Sequence, residues 1–167
     1  MKNINSVISS HNKNILNPRS VSFGCNCRNR ESCPLNGECL TPQIVYRATV
    51  TNAVNDDTKK YIGLAETPFK ERHANHKRDF KYERYRHCTE LANYVWELKE
   101  KKIDAIIKWE ILSKVYGNPK QNKCLLCLTE KLWIINFIHD NNYINKKSEL
   151  INKCLHINKF LLKNVKR

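Results

Sequence analysis

The sequence predicts an α/β domain of the α+β kind: a small central antiparallel three-stranded sheet flanked by helices, with zinc-binding cysteine loops attached. Three observations carry this. Two runs of β-branched and aromatic residues, QIVYRATVT and KYIGL, flank an Asn/Asp-rich turn and read as a hairpin. Apolar residues then recur at the helical period, and a third strand-like run, IIKWEIL, follows them. Eight cysteines fall into clusters in a chain of 167 residues that is 41% apolar, enough for one domain with a core of its own.

The elements follow in chain order. Residues 1–20 are polar and without hydrophobic period, and are expected to form a flexible tail. A Cys-rich segment over 21–42 is closed by Thr41-Pro42. Strands are predicted over 43–51 and 60–64, joined by a turn containing Asn55-Asp56-Asp57. Thr67-Pro68 signals a helix start, Thr as the cap and Pro in the first turn where its missing donor costs nothing, and that helix should run to about Phe80. KYERYRH (81–87) is polar and irregular. Thr89 caps a second helix, in which Leu91, Tyr94, Val95 and Leu98 share a face up to the charged run at 99–102. The third strand is predicted over 106–112. After the breaker Gly117-Asn118-Pro119, LLCLTEKLWIINFI (125–138) reads as a helix buried on more than one side. The segment 148–167 is basic and partly helical.

In a chain whose start, MKNINSVISS, lacks the apolar stretch of a signal peptide, clustered cysteines read as metal ligands before disulfides. Cys25, Cys27, Cys33 and Cys39 fall in one short loop rich in Gly, Asn and Pro, and four thiolates suit tetrahedral zinc in number and softness. Free or disulfide-bonded cysteines are the other reading. Cys124, Cys127, Cys154 and His156, written CLLC and CLH, make a second candidate zinc site. The alternative there is that Cys124 and Cys127 are small core residues and His156 a surface base. If zinc binds, it fixes the root of the helix bearing Glu130, and is expected to be structural yet required for activity. Cys88 is left over and is expected to be a buried or partly buried thiol.

Charge narrows the partner class. Thirty Lys and Arg against sixteen acids give +14, which points to a polyanion. Seven of those net charges lie from residue 118 onward. No apolar run approaches the ~20 residues of a spanning helix, so no membrane partner is expected.

The residues that carry chemistry are spread along this frame. Tyr46 lies mid-strand and Tyr61 opens the next strand, while Arg72 and His76 sit four apart on one helix face. Glu130 stands on the later helix among Leu128, Leu132, Trp133 and Ile134, where a buried carboxylate needs a cation. Two tyrosines, an arginine and a carboxylate make a phosphodiesterase set. A carboxylate-held metal stabilises the leaving oxygen, an arginine fork binds phosphate, and a tyrosine oxygen passes on a proton.

In that order the chain resembles the GIY-YIG nucleases, and more narrowly the endonuclease domain of Penelope-like retroelements. The paired motif appears as IVY (44–46) and YIG (61–63), the helix arginine as Arg72 in PFKERHANH, with His76 after it, and the homing-type histidine as His87. The metal-binding glutamate matches Glu130 in TEKLWII, and the distal asparagine Asn145 in YINKKSEL. CNCRNRESCPLNGEC and CLLC…CLH carry the Penelope-like character over roughly 24–162. Two positions depart: Ile44 stands where the family usually has glycine, and Leu64 where several members carry lysine.

The resemblance implies a nuclease core over 43–147, with 148–167 completing the second zinc site. It implies a metal-dependent DNA endonuclease that nicks double-stranded DNA, with Glu130 ligating Mg²⁺ or Mn²⁺. Tyr46 would serve or orient the general base, Arg72 would hold the phosphate, and Tyr61 would hydrogen-bond beside it. His76 and His87 would be auxiliary proton carriers or phosphate ligands, with one or two structural Zn²⁺ alongside. In a retroelement the nicked 3′ end would prime reverse transcription, making a reverse transcriptase domain or element RNA partners, and of a nuclear or cytoplasmic location this role favours the nucleus. One site per chain implies a monomer or a transient dimer on DNA. The alternative is a zinc-containing nucleic-acid-binding module without catalysis, which explains the charge equally well but has no need of Tyr46, Tyr61, Arg72 and Glu130 together.

Overall fold

The computed structural model describes residues 24–54, 57–115 and 123–151. The tail expected over 1–20 and the basic segment beyond residue 151 lie outside them. Three strands, β1 (Ile44–Asn52), β2 (Thr58–Ala65) and β3 (Ala105–Lys114), form one antiparallel sheet in the order β2-β1-β3. The helices are α1 (Phe69–Lys81), α2 (Glu90–Glu100), α3 (Lys123–Phe137) and the short α4 (Lys147–Ile151), with a 3₁₀ segment over Glu83–Cys88. Among the described residues no helix is long and apolar enough to cross a membrane.

β1 is the central strand, and alternation splits its side chains between two cores. Ile44, Tyr46, Ala48 and Val50 join Phe69 of α1 and Leu91, Val95 and Leu98 of α2 in the larger core. Val45 joins Ile62, Leu126 and Ile134 in a second, smaller core under α3. A register shift between Val45 and Tyr46 pairs Val45 with Ser113 and Tyr46 with Ile111. Leu112 is the extra residue, and it packs into the smaller core.

The open edge of β2 is covered by the chain after α3. Lys60 N–H donates to the Asn142 carbonyl at 2.7 Å, and Ile144 N–H donates to the Lys60 carbonyl at 2.9 Å. The Asn145 side chain continues the ladder where backbone pairing stops. Its Oδ1 accepts from Ile62 N–H and its Nδ2 donates to the Ile62 carbonyl, both at 2.8 Å. An edge that would otherwise offer bare donors and acceptors is thereby closed.

Four expectations are corrected. Thr67 does not cap α1: Pro68 is the N-cap, with no side-chain hydrogen bond, and backbone carbonyls from the cysteine loop take that role. The irregular stretch before Thr89 is a 3₁₀ helix, whereas Thr89 does cap α2 through Ala92 N–H at 3.0 Å. The α3 helix, expected to be buried on more than one side, is buried on one. Leu125, Leu128, Leu132 and Ile135 are each 43–54% exposed because one side of the helix covers the sheet and the other faces outward. Cys88 is exposed rather than buried, since it ends a 3₁₀ helix that contributes no residue to the core.

Candidate functional site

A cleft of about 290 Å³ opens where β2 ends. Leu64, Ala65, Glu66 and Thr67 form its floor, Arg72 and Asn75 come from α1, and Glu130 comes from α3. Arg72 and Glu130 lie 58 residues apart in sequence yet line the same cavity, α1 packing into the larger core and α3 into the smaller one.

Behind the cleft runs a buried hydrogen-bonded chain. Arg72 Nε donates to Tyr46 Oη at 3.2 Å, and Tyr46 Oη lies 2.7 Å from His76 Nε2. A guanidinium only donates, so the Tyr46 oxygen accepts on that side. Assigning the phenol proton to Nε2 pairs Arg72 Nε, the Tyr46 hydroxyl and His76 Nε2, and puts the imidazole proton on Nδ1, which is buried without a partner. Burial, then the Arg72 charge, press His76 down to about 3, so it is a neutral acceptor. Burial likewise raises Tyr46, against the opposing pull of Arg72, and raises Tyr61 well above the usual phenol range. Arg72 is raised because the phenol oxygens outweigh its desolvation. The tyrosines are neutral hydrogen-bonding groups and the arginine is a fixed cation.

Strand pairing explains the position of Tyr46. It stands directly opposite Gly63, and its ring crosses the space that a side chain there would fill. Phe69 and Trp109 hold the same ring at centroid distances of 5.0 and 5.8 Å. Tyr61 pairs opposite Ala48 and sets its ring edge-on to His76 at 6.4 Å.

Glu130 is half-buried rather than sunk among its apolar neighbours. Burial and the charge of Glu149 push it up to about 7, while Arg72, Lys131 and the Leu64 N–H pull it down. Glu149 was missed by sequence reasoning. Asn145 Nδ2 donates to its Oε2 at 2.7 Å, so one amide ties Ile62 of β2 to a second carboxylate that acts on Glu130. The only available signal was its place four residues after Asn145. His87 is exposed on the 3₁₀ segment and does not line the cleft.

The four sulfur atoms of Cys25, Cys27, Cys33 and Cys39 lie within 4.8 Å of one another and can hold a metal ion such as zinc. Cys27–Cys39 and Cys25–Cys39 sulfur separations are 3.7 and 3.5 Å. A zinc tetrathiolate with ~2.3 Å bonds has edges of about 3.8 Å. Backbone donors already serve the sulfurs: Gly37 N–H reaches Cys33 Sγ at 3.1 Å and Cys27 N–H reaches Cys25 Sγ at 3.2 Å. Burial alone would raise the Cys33 thiol, but the Gly37 and Leu35 N–H groups outweigh it and bring it to about 7. Burial and the neighbouring thiols push Cys39 up to about 12. Of the second set, Cys127 is half-buried on α3, while the Cys124 side chain, Cys154 and His156 lie outside the described residues.

Away from the cleft, cations stack on tyrosines around the 3₁₀ segment. Arg78 and Arg84 lie over Tyr85 at 4.5 and 4.7 Å, and Lys81 lies over Tyr82 at 5.3 Å. Comparison with protein-family models, with curated proteins and with solved structures gave no match to the chain.

Proposed function

We propose that the chain is a metal-dependent DNA endonuclease of the GIY-YIG kind, hydrolysing a phosphodiester bond in double-stranded DNA. The observation that carries this reading is that Arg72 and Glu130, from separate helices, line one cleft, with Arg72 held from behind by the buried Tyr46–His76 pair. The +14 charge and the Arg/Tyr surface suit a phosphate backbone.

The residue on the cleft that would hold a divalent cation in this reading is Glu130. Glu130 faces a cleft and has a second carboxylate, Glu149, acting on it. A Mg²⁺ or Mn²⁺ ion held by Glu130 would supply Lewis-acid stabilisation of the leaving oxygen. Arg72 binds the phosphate and stays charged throughout. Tyr46 and His76 lie fully buried behind the cleft, so their part here is positional: the Tyr46 oxygen accepts from Arg72 Nε and its O–H is held on the neutral His76 Nε2, which fixes Arg72 where the phosphate would bind. Asn145 keeps β2 and Glu149 in register beside Glu130. The four-cysteine centre carries structural zinc. The resemblance to Penelope-like endonucleases extends the reading to a nick that primes reverse transcription by a separate domain.

The test is plasmid nicking in Mg²⁺ or Mn²⁺, wild type against Glu130→Ala. Supercoiled DNA relaxed by the first and untouched by the second supports the nuclease and the role of Glu130. A folded, zinc-loaded wild type that binds DNA without nicking it points instead to a non-catalytic binding module. Equal nicking by both removes Glu130 from the mechanism.

A further inference from the structure

Helix α1 begins without a side-chain cap of its own, because Pro68 occupies the N-cap position. Its first free backbone donors are satisfied by the cysteine loop: Phe69 N–H donates to the Thr41 carbonyl at 3.1 Å, and Lys70 N–H to the Cys39 carbonyl at 2.8 Å. Cys39 thus serves twice, its sulfur in the four-thiol cluster and its carbonyl on the helix. Lys70 Nζ reaches back to Asn26 Oδ1 at 2.6 Å, between two of the cysteines, and Leu40 N–H closes the loop onto the Gly24 carbonyl at 3.2 Å. Within α1's opening turn lie Phe69, packed against Tyr46 and Trp109, and then Arg72.

We propose that the four-cysteine centre is a metal-dependent cap for α1, and that its occupancy sets where Arg72 stands in the cleft. The proposal rests on the nuclease reading of Arg72. The loop reaches the larger core through Leu35, but Cys25 and Cys39 at its two ends are joined by no other covalent link, and a tetrahedral ion would tie them together through four bonds. A zinc tetrathiolate also carries a net charge of about −2, which suits a helix N-terminus. Without the ion the loop relaxes, two donors at the start of α1 lose their acceptors, and the first turn frays. Arg72 then loses its fixed approach to Tyr46 and to the phosphate. Arg72 is the catalytic residue, and the cysteines act through it as positioning residues.

The test uses Cys33→Ser, which removes one sulfur and leaves the capping carbonyls untouched. Trp109 reports on α1 directly, since its ring packs on Phe69, His73 and His76 at 5.5, 5.5 and 5.2 Å. In a Trp96→Phe/Trp133→Phe background it is the sole indole. Expected for Cys33→Ser are loss of bound zinc, a shifted Trp109 emission, and a kcat for nicking down tenfold or more with a smaller change in KM. Adding Pro68→Ser, which gives α1 its own N-cap side chain, should restore Trp109 emission and part of kcat with zinc still absent. Loss of zinc with emission and kcat unchanged overturns the proposal, and so does failure of Pro68→Ser to restore either. If Cys33→Ser does not fold, Trp109 emission followed during chelation and zinc refilling of the wild type gives the same answer, with a silent Trp109 overturning the cap. The emission and zinc readouts need no nicking, so an inactive wild type would count against the nuclease reading and not against the cap.

Discussion

Gly63 matters through the atom it lacks. A Cβ there would stand 2.6 Å from Tyr46 Oη and 2.8 Å from its ring, with the Tyr61 ring at 3.0 Å on the other side. Neither ring can yield, since both lie in the core. Gly63→Ala is expected to cost about 1–3 kcal/mol by overpacking and to push Tyr46 Oη off His76. Thermal unfolding would register the first and nicking the second. Tyr46→Phe keeps the ring and removes only the oxygen, leaving Arg72 Nε and His76 Nε2 short of a partner at about 1–3 kcal/mol. A Tyr46→Phe protein as stable as wild type would show that the buried chain contributes nothing to the fold. Tyr46, Arg72 and Glu130 were legible in the sequence because residue type and order carry them. Their contacts were not, because His76 binding Tyr46 Oη depends on how α1 lies across β1.

At the scale of elements, β-branched and aromatic runs located β1, β2 and β3, the Thr67-Pro68 signal located α1 and the helical period located α2, all closely, since these local signals follow from backbone preference and from which face meets a core. The errors fell at ends and outer faces. The sequence around Thr67-Pro68 looks like a self-contained helix start, yet the acceptors for α1 come from residues 39 and 41, which local pattern does not connect to residue 69. The covering of β2 by residues 142–145 is likewise a long-range event. Asn145→Leu removes both bonds to Ile62 and the one to Glu149, at about 1–3 kcal/mol. Hydrogen exchange at the Ile62 amide should accelerate in that variant before the rest of the sheet is affected. Protection unchanged at Ile62 would rule out the clip.

Over the whole molecule, two histidines make stability depend on pH. Burial lowers His76 to about 3 and His73 to about 4, the latter helped by Lys77, from an ordinary value near 6.5. The unfolded chain therefore binds protons between 6.5 and those values that the folded chain refuses. Stability from these groups is present above 6.5 and is lost as pH falls through the window toward 4 and 3. Glu130, raised to about 7, and Glu149, also raised, act in the opposite sense over the same range, so the test is the difference between variants: from pH 6.5 to 4 the Tm of His73→Gln should gain on that of wild type, and identical slopes would remove His73 from the account. By itself the sequence determined the α+β class, the element order, the grouping of four cysteines and the residue types of the candidate site, because composition, period and spacing are properties of local chain. Tertiary structure alone decided that Arg72 and Glu130 share a cleft, that Glu149 presses on Glu130, and that the cysteine loop caps α1. Those contacts join residues tens of positions apart or set the charge between them, and they exist only once both sheet faces are packed.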